Sequence, residues 1–175
     1  PQFVGKLSIP GTKLDYPVVQ ATDNVYYLNR DFTTSHEPYG IPFLDFRAWL
    51  GRTKDESGKV TLEESDIFTI YGHAKDDGTY FQAVKEYVDI EYYKEHPTLT
   101  FDTINGPGEY KIIAYMMVDT DISKADVFNY WDYVNDIGEK KFNHYMEEVN
   151  NRTYFNTGVD VKYGDQLVVL STCNT

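Results

Sequence analysis

The sequence predicts a single globular domain built mainly of antiparallel β-strands, arranged as a barrel or a sandwich, with a few helices. About seven short apolar segments are separated by turn residues such as Gly, Pro and Asn, a spacing typical of all-β domains. The composition is 41% hydrophobic and 16% aromatic, with 16 Tyr, which suits the half-buried surface of a sheet. A doubly wound α/β fold would need regular alternation of strands and helices, and this alternation is missing.

The charge and the single cysteine exclude several classes of function. The chain carries 16 Lys and Arg against 28 Asp and Glu, a net charge of -12, which repels nucleic acid. One Cys among 175 residues excludes a disulfide scaffold and Cys-rich zinc sites, so we predict no metal and no cofactor. No run of about 18 apolar residues occurs. Because the chain starts at Pro1 without Met, we expect a piece of a longer protein.

The amino-terminal half predicts three strands and one short helix. Residues 3–9 and 16–20 alternate apolar and polar side chains on either side of a Pro-Gly turn. Asp23 or Asn24 can cap a short helix that carries Leu28 on its apolar side. The third strand covers residues 40–46. Residues 51–65 are polar without an apolar period, so we expect a solvated surface loop.

The second half begins with a strong strand at residues 66–71. A helix at 79–87 and an antiparallel pair at 98–103 and 108–118 follow, the pair joined by an Asn-Gly-Pro-Gly turn. The clearest helix covers 136–150, with Asp136 as its cap and an apolar stripe that we assign to the core.

The last stretch, residues 166–173, predicts a strand that ends in a thiol. Four consecutive aliphatic residues at 167–170 are too few for a helix and indicate a strand buried on both faces. A rigid strand fixes the direction of Cys173, as a nucleophile requires, although a free Cys is also a common core residue. Among the four histidines, His73 alone directly follows a strand and a glycine, so it is the best partner for Cys173.

These motifs resemble those of the class B sortases, over nearly the whole chain. Leu170-Ser171-Thr172-Cys173 fits the family's Thr-Leu-x-Thr-Cys nucleophile motif from its leucine onward, and Ile70-Tyr71-Gly72-His73 fits its histidine motif. Residues 9–12, 15–20 and 24–32 also match. The long helix between the last two strands distinguishes class B from class A. The resemblance therefore implies a sortase-type mixed β-barrel with a long helix before the last strand present.

The resemblance implies a cysteine transpeptidase at the outer surface of a Gram-positive cell, whose parent protein has a single-pass membrane anchor outside this chain. Cys173 would be the nucleophile and His73 the general acid and base. Asn24, Leu28 and Ser171 would line the groove for a sorting-motif peptide, and Tyr130 and Trp131 its other wall. A cell-wall precursor or a pilin would supply the acceptor amine.

Two departures from the family pattern stand out. Val169 replaces the Thr of the nucleophile motif. The family's catalytic Arg lies on a strand after the Cys strand, and the four arginines of this chain (Arg30, Arg47, Arg52 and Arg152) match no part of that motif. We therefore expect residues 1–175 to be a single catalytic domain without the anchor or the C-terminal strands, and to be impaired by the absence of the Arg.

Two other functions stay open at this point. A cysteine peptidase would use the same thioester but release it to water. A β-rich surface binding module would keep Cys173 as an inert core residue. Tyr130 and Trp131 are equally consistent with core packing, and Asn24 with a helix cap.

Overall fold

The computed structural model describes residues 2–135 and 137–173. The strands are β1 (Gln2–Ser8), β2 (Asp15–Gln20), β3 (Phe43–Leu44), β4 (Leu50–Lys54), β5 (Val60–Glu64), β6 (Ile67–Tyr71), β7 (Thr98–Thr103), β8 (Glu109–Lys111) and β9 (Leu167–Ser171). The α-helices are α1 (Gln82–Glu86), α2 (Ile90–Glu95) and α3 (Glu139–Arg152). Two 3₁₀ helices cover Tyr26–Asn29 and Tyr130–Asp132.

Seven of the strands form one nearly closed barrel sheet in the order β8-β7-β1-β2-β3-β6-β9. Neighbouring strands run antiparallel except for β2 with β3 and β6 with β9. The predicted mainly β class is therefore confirmed. The predicted long helix before the last strand is also confirmed, as α3.

The strand β6 separates two apolar clusters because its alternate side chains point to opposite faces. Phe68 and Ile70 belong to the main core inside the barrel. Ile67 belongs to a second cluster with Phe142 and Tyr145 of α3. The β-branched and aromatic residues of β6 thus place this strand at the centre of the packing, where its carboxyl end is held firmly.

Four elements differ from the sequence prediction. Residues 51–65, expected as a loop, contain the β4–β5 hairpin, which pairs only with itself and stays exposed. The helix α2, which the sequence analysis did not predict, begins after Asp89, whose side chain accepts a hydrogen bond from the Glu91 amide. The strand β8 ends at Lys111, well short of the predicted 118. Asp136, the predicted cap of α3, lies outside the described residues, and α3 begins at Glu139.

The terminal strand β9 is less buried than predicted. Only Leu167 is buried, and the next four residues are half-buried. The prediction of two buried faces is wrong because burial depends on neighbouring elements. Among the described residues β9 pairs with β6 alone, at one end of the sheet order.

Candidate active site

Two neighbouring parallel strands carry the predicted catalytic pair. Tyr71, the last residue of β6, lies opposite Ser171, the last residue of β9, and the Gly72 amide donates to the Ser171 carbonyl over 3.1 Å. Parallel strands lie about 4.8 Å apart, so His73 and Cys173 leave the same sheet edge side by side. The fold therefore brings together two residues that lie far apart in the sequence.

The ring of His73 is held by a backbone carbonyl. Its Nε2 atom lies 2.9 Å from the carbonyl oxygen of Leu28, in the first 3₁₀ helix. A carbonyl can only accept, so Nε2 carries the hydrogen in this arrangement, and Nδ1 is left to accept or donate a proton. Gly72 is required just before the histidine, because a Cβ atom there would lie 2.9 Å from the Phe81 ring.

Cys173 is exposed, as a nucleophile that meets a peptide must be. The exposure of Cys173 contradicts the core position that the binding-module alternative requires. The hydroxyl of Thr172, directly before it, is buried and has no hydrogen-bond partner among the described residues.

The hydroxyl groups of Tyr130 and Ser171 form a hydrogen bond of 2.6 Å beside the thiol. Tyr130 is 9% exposed, and its ring packs edge-on against Trp131 at 5.2 Å between centroids. Burial raises the pKa of Tyr130, the Ser171 hydrogen bond opposes that shift, and the nearby Cys173 adds to it. The second 3₁₀ helix is thus fixed to the end of β9, with Tyr130 as the contact.

Asn24 is occupied by the protein itself. Its side-chain amide donates to the carboxylate of Asp45 over 3.0 Å, and its oxygen accepts from the Phe46 amide over 2.9 Å. The cap of the following turn is Asp23, whose carboxylate accepts from the amides of Val25 and Tyr26. The side chain of Asn24 therefore fixes this turn to the segment that contains Asp45 and Phe46.

A cavity of about 900 Å³ runs along β9 and is lined by both members of the predicted pair. Its walls include His73, Cys173, Leu28, Tyr130 and Ser171. Asn24 and Trp131 are not part of this wall. The opposite wall is largely apolar and comes from the extended segment after β8. The volume of the cavity is in the range of cavities that bind small molecules and peptide side chains, and Cys173 is part of its wall.

The arginines lie elsewhere. Three of them bind partners away from the thiol, Arg30 at Tyr26, Arg47 at Asp45 and Arg152 at Glu148. None of the four arginines belongs to the described wall of the cavity. The described residues also contain no group of three or more His, Cys, Asp or Glu side chains that could hold a metal ion.

No protein-family model matches the chain. The chain is 30% identical to sortase B of Staphylococcus aureus (strain NCTC 8325 / PS 47) over 171 residues, which cover 98% of this chain and 63% of the relative. It is 28% identical to sortase B of Listeria monocytogenes serovar 1/2a over 173 residues, which cover 99% of this chain and again 63% of the relative.

The chain is a homologue of the class B sortases. Among solved structures, sortase B of Listeria monocytogenes superposes with a TM-score of 0.80 at 27% identity, covering 99% of this chain and 89% of that one. The sortase B–substrate complex of Staphylococcus aureus superposes with a TM-score of 0.77 at 26% identity, covering 99% and 72%. The chain spans 63% of the length of the curated relatives it matches.

The sequence analysis did not single out Asp45 and Arg47. Asp45 is fully buried. In the sequence it comes directly after an apolar segment, where an acidic residue predicts only the end of a strand. The only signal in the sequence was an acidic residue and a basic residue two positions apart, directly after this segment. Such a pair is more often solvent-exposed, so only the fold identifies it.

Among residues 2–135 and 137–173, no helix is both long enough and apolar enough to cross a membrane.

Proposed function

We propose that this chain is the catalytic domain of a cysteine transpeptidase that cleaves a C-terminal sorting motif and transfers the acyl fragment to an amine. The observation that carries the proposal is the pairing of Tyr71 with Ser171, two residues before His73 and Cys173, together with the presence of both His73 and Cys173 in the wall of one cavity. Related structures support the ligand classes, since one is a sortase B–substrate complex and another is sortase B complexed with triglycine.

In the first half of the proposed reaction, the thiolate of Cys173 attacks the scissile carbonyl carbon of the peptide. A carbon–sulfur bond forms, the carbon–nitrogen bond breaks, and the leaving amine takes a proton from the imidazolium of His73. Leu28 holds Nε2 of that ring, so Nδ1 is the atom that exchanges the proton. Backbone amides near Cys173 contribute to stabilising the oxyanion, together with an Arg from outside the described residues.

In the second half, an amine nitrogen attacks the thioester carbonyl. It loses its proton to His73, the carbon–sulfur bond breaks, and a new amide is released. The acceptor is the amine of a cell-wall precursor or a pilin, and the donor is a surface protein. The reaction takes place at the outer face of the cell membrane, where an anchor outside this chain holds the enzyme.

In this proposal the peptide lies in the cavity against Leu28, Ser171 and Tyr130, which all belong to its wall. Asn24 acts on the peptide through the turn that it holds, and Trp131 acts through the Tyr130 ring against which it packs.

The deciding experiment incubates the chain with fluorescent sorting-motif peptides, with and without triglycine, and identifies the products by mass spectrometry. A transpeptidase gives a product extended by triglycine at the expense of the hydrolysed fragment. Hydrolysed fragment alone, unchanged by triglycine, would instead make the protein a cysteine peptidase, the second function that the exposed thiol of Cys173 allows. A Cys173→Ala control must give neither product.

A further inference from the structure

A single buried carboxylate connects the parts of the site. Asp45 is 0% exposed and accepts five hydrogen bonds. Its Oδ1 accepts from the Arg47 backbone amide and Nε, each over 2.9 Å. Its Oδ2 accepts from Arg47 Nη2 over 2.8 Å, from Asn24 Nδ2 over 3.0 Å and from the Tyr71 hydroxyl over 3.0 Å. Both oxygens are therefore saturated by donors from three different segments.

The electrostatics of this cluster favour the ionised form of the Asp45 carboxylate. Burial alone would raise the pKa of Asp45, but the hydrogen bonds from Arg47 and Asn24 outweigh burial and hold this pKa below its ordinary value. Burial and the Asp45 charge raise the pKa of Tyr71, so its hydroxyl stays protonated and donates. A carboxylate that is buried and fully bonded in this way is costly to disturb.

Two of the donors lead directly to the catalytic histidine. Asn24 stands at the start of the turn that ends in Leu28, whose carbonyl holds His73. Tyr71 ends β6, two residues before His73 and opposite Ser171. Asp45 therefore fixes both the strand that carries the ring and the carbonyl that orients it.

Arg47 connects the cluster to the second 3₁₀ helix. Its Nη2 also donates to the carbonyl oxygen of Trp131 over 2.5 Å, and its Nη1 lies 3.7 Å from Asp132 Oδ1. Both residues belong to the second 3₁₀ helix, whose Tyr130 binds the hydroxyl of Ser171. The ion pair of Asp45 and Arg47 thus connects the turn at Asn24 with the second 3₁₀ helix.

We propose that Asp45, paired with Arg47, is a positioning residue that sets the geometry of the cavity around His73 and Cys173. It holds the turn from Asn24 to Leu28 and the Tyr130 helix in fixed positions relative to the ends of β6 and β9. This inference rests on the proposed peptide-transfer function, because it explains how that site is kept in reactive geometry. Catalytic groups displaced by about 1 Å can lose about a hundredfold in rate.

The test compares Asp45→Ala and Asp45→Asn with a control of equal or greater destabilisation. Leu14→Ala is that control, because Leu14 is 0% exposed in the main core and does not line the cavity. Each protein is assayed well below its Tm for kcat and KM with a sorting-motif peptide. The ring nitrogens of His73 are followed by nitrogen-15 NMR. We expect at least about a tenfold loss of kcat/KM for the Asp45 variants, and less than about twofold for Leu14→Ala.

The NMR signal distinguishes positioning from simple stability. In the unaltered chain the neutral His73 ring should be the Nε2–H tautomer, because Leu28 accepts from that atom. In Asp45→Ala the ring should show a mixture of tautomers, whereas Leu14→Ala should keep the original signal. If the Asp45 variants lose only Tm and keep the kinetics and ring signals of Leu14→Ala, the proposal is overturned.

A double-mutant cycle covers the case in which Asp45 variants fail to fold. Asn24→Ala and Tyr71→Phe each remove one donor to the same Asp45 oxygen. Their effects on the His73 tautomer ratio should depart from independence by at least about twofold, and independent effects would overturn the proposal. Because this readout needs no peptide, it still decides if the unaltered chain cleaves none, a result that would refute the proposed function instead.

Discussion

Tyr71 and Ser171 pair directly across the parallel strands β6 and β9, and each is followed two residues later by a group that we assign to catalysis. This single register brings a histidine and a thiol to one sheet edge. The chemistry therefore depends on strand pairing, which is the most rigid relationship that a sheet provides.

Replacement of Cys173 by Ala or Ser should abolish peptide cleavage. The thiolate forms the covalent intermediate, and neither methyl nor hydroxyl replaces it without a stronger base. Because Cys173 is exposed, stability should change by no more than about 0.5 kcal/mol. Product analysis and a thermal melt measure both quantities. Cleavage at the original rate by Cys173→Ala would contradict the transpeptidase proposal.

His73→Ala should lower turnover by about 10² to 10⁴, the usual contribution of a general acid and base. Labelling of Cys173 by a strong electrophile such as iodoacetamide should continue, since that reaction needs no general acid. His36→Ala is the matched control, because His36 is an exposed histidine outside the cavity wall. Equal losses in the two variants would mean that the assignment of His73 is wrong.

Tyr130→Phe removes the hydrogen bond to Ser171 and should destabilise the fold by about 1 kcal/mol, because Ser171 loses its partner in a half-buried place. A cycle with Ser171→Ala in urea unfolding should give a coupling of about 0.5–1.5 kcal/mol. Tyr163→Phe serves as the control, since the Tyr163 hydroxyl is exposed and makes no hydrogen bond within residues 2–135 and 137–173. Zero coupling would show that the hydroxyls do not support each other.

Asp45 should make stability depend on acid. Its pKa is lower in the folded chain than the ordinary value of about 4, so its ionised form stabilises the fold above that pH. The contribution is lost as the pH falls through the lower, folded-state pKa. Asp45→Asn should therefore be less stable by about 3 kcal/mol near neutral pH, and the gap should narrow towards pH 2.

The midpoints of urea unfolding, measured from pH 7 to pH 2, give this difference in stability between Asp45→Asn and the unaltered chain. Asp55→Asn is the control, because Asp55 also has a lowered pKa, caused by local hydrogen bonds from Ser57 and Lys59, but is exposed in the turn of the β4–β5 hairpin. Its gap should stay small at every pH. A gap for Asp45→Asn that is constant with pH would contradict an ionised, stabilising carboxylate.

A family strand that carries an Arg, appended after residue 175, should raise peptide cleavage by about 10² to 10³. This range is the usual effect of one oxyanion donor, and no arginine belongs to the described wall of the cavity. The matched control is the same appended strand with Ala in place of the Arg. Equal rates in these two proteins would mean that the Arg is dispensable or replaced from within residues 1–175.

The sequence by itself determined the elements with strong local patterns. The β-branched and aromatic run of β6 predicts a buried strand that ends two residues before His73, and the apolar stripe of Phe142, Tyr145 and Val149 predicts α3. These predictions succeed because alternation and helical periodicity are properties of neighbouring residues. The motifs around His73 and Cys173 carried the family resemblance for the same reason.

Only the tertiary structure decided the features that depend on distant partners. The β4–β5 hairpin has only three large apolar side chains, those of Leu50, Val60 and Leu62, and most of its residues are exposed, so its pairing leaves little apolar pattern to detect. The partial exposure of β9 follows from which strands lie beside it. The local pair of Asp45 and Arg47 does not reveal that Asp45 is buried, because its further hydrogen bonds come from Asn24 and Tyr71, which reach it only after the chain has folded. Burial and electrostatics are sums over spatial neighbours, and the order of residues along a chain does not list those neighbours.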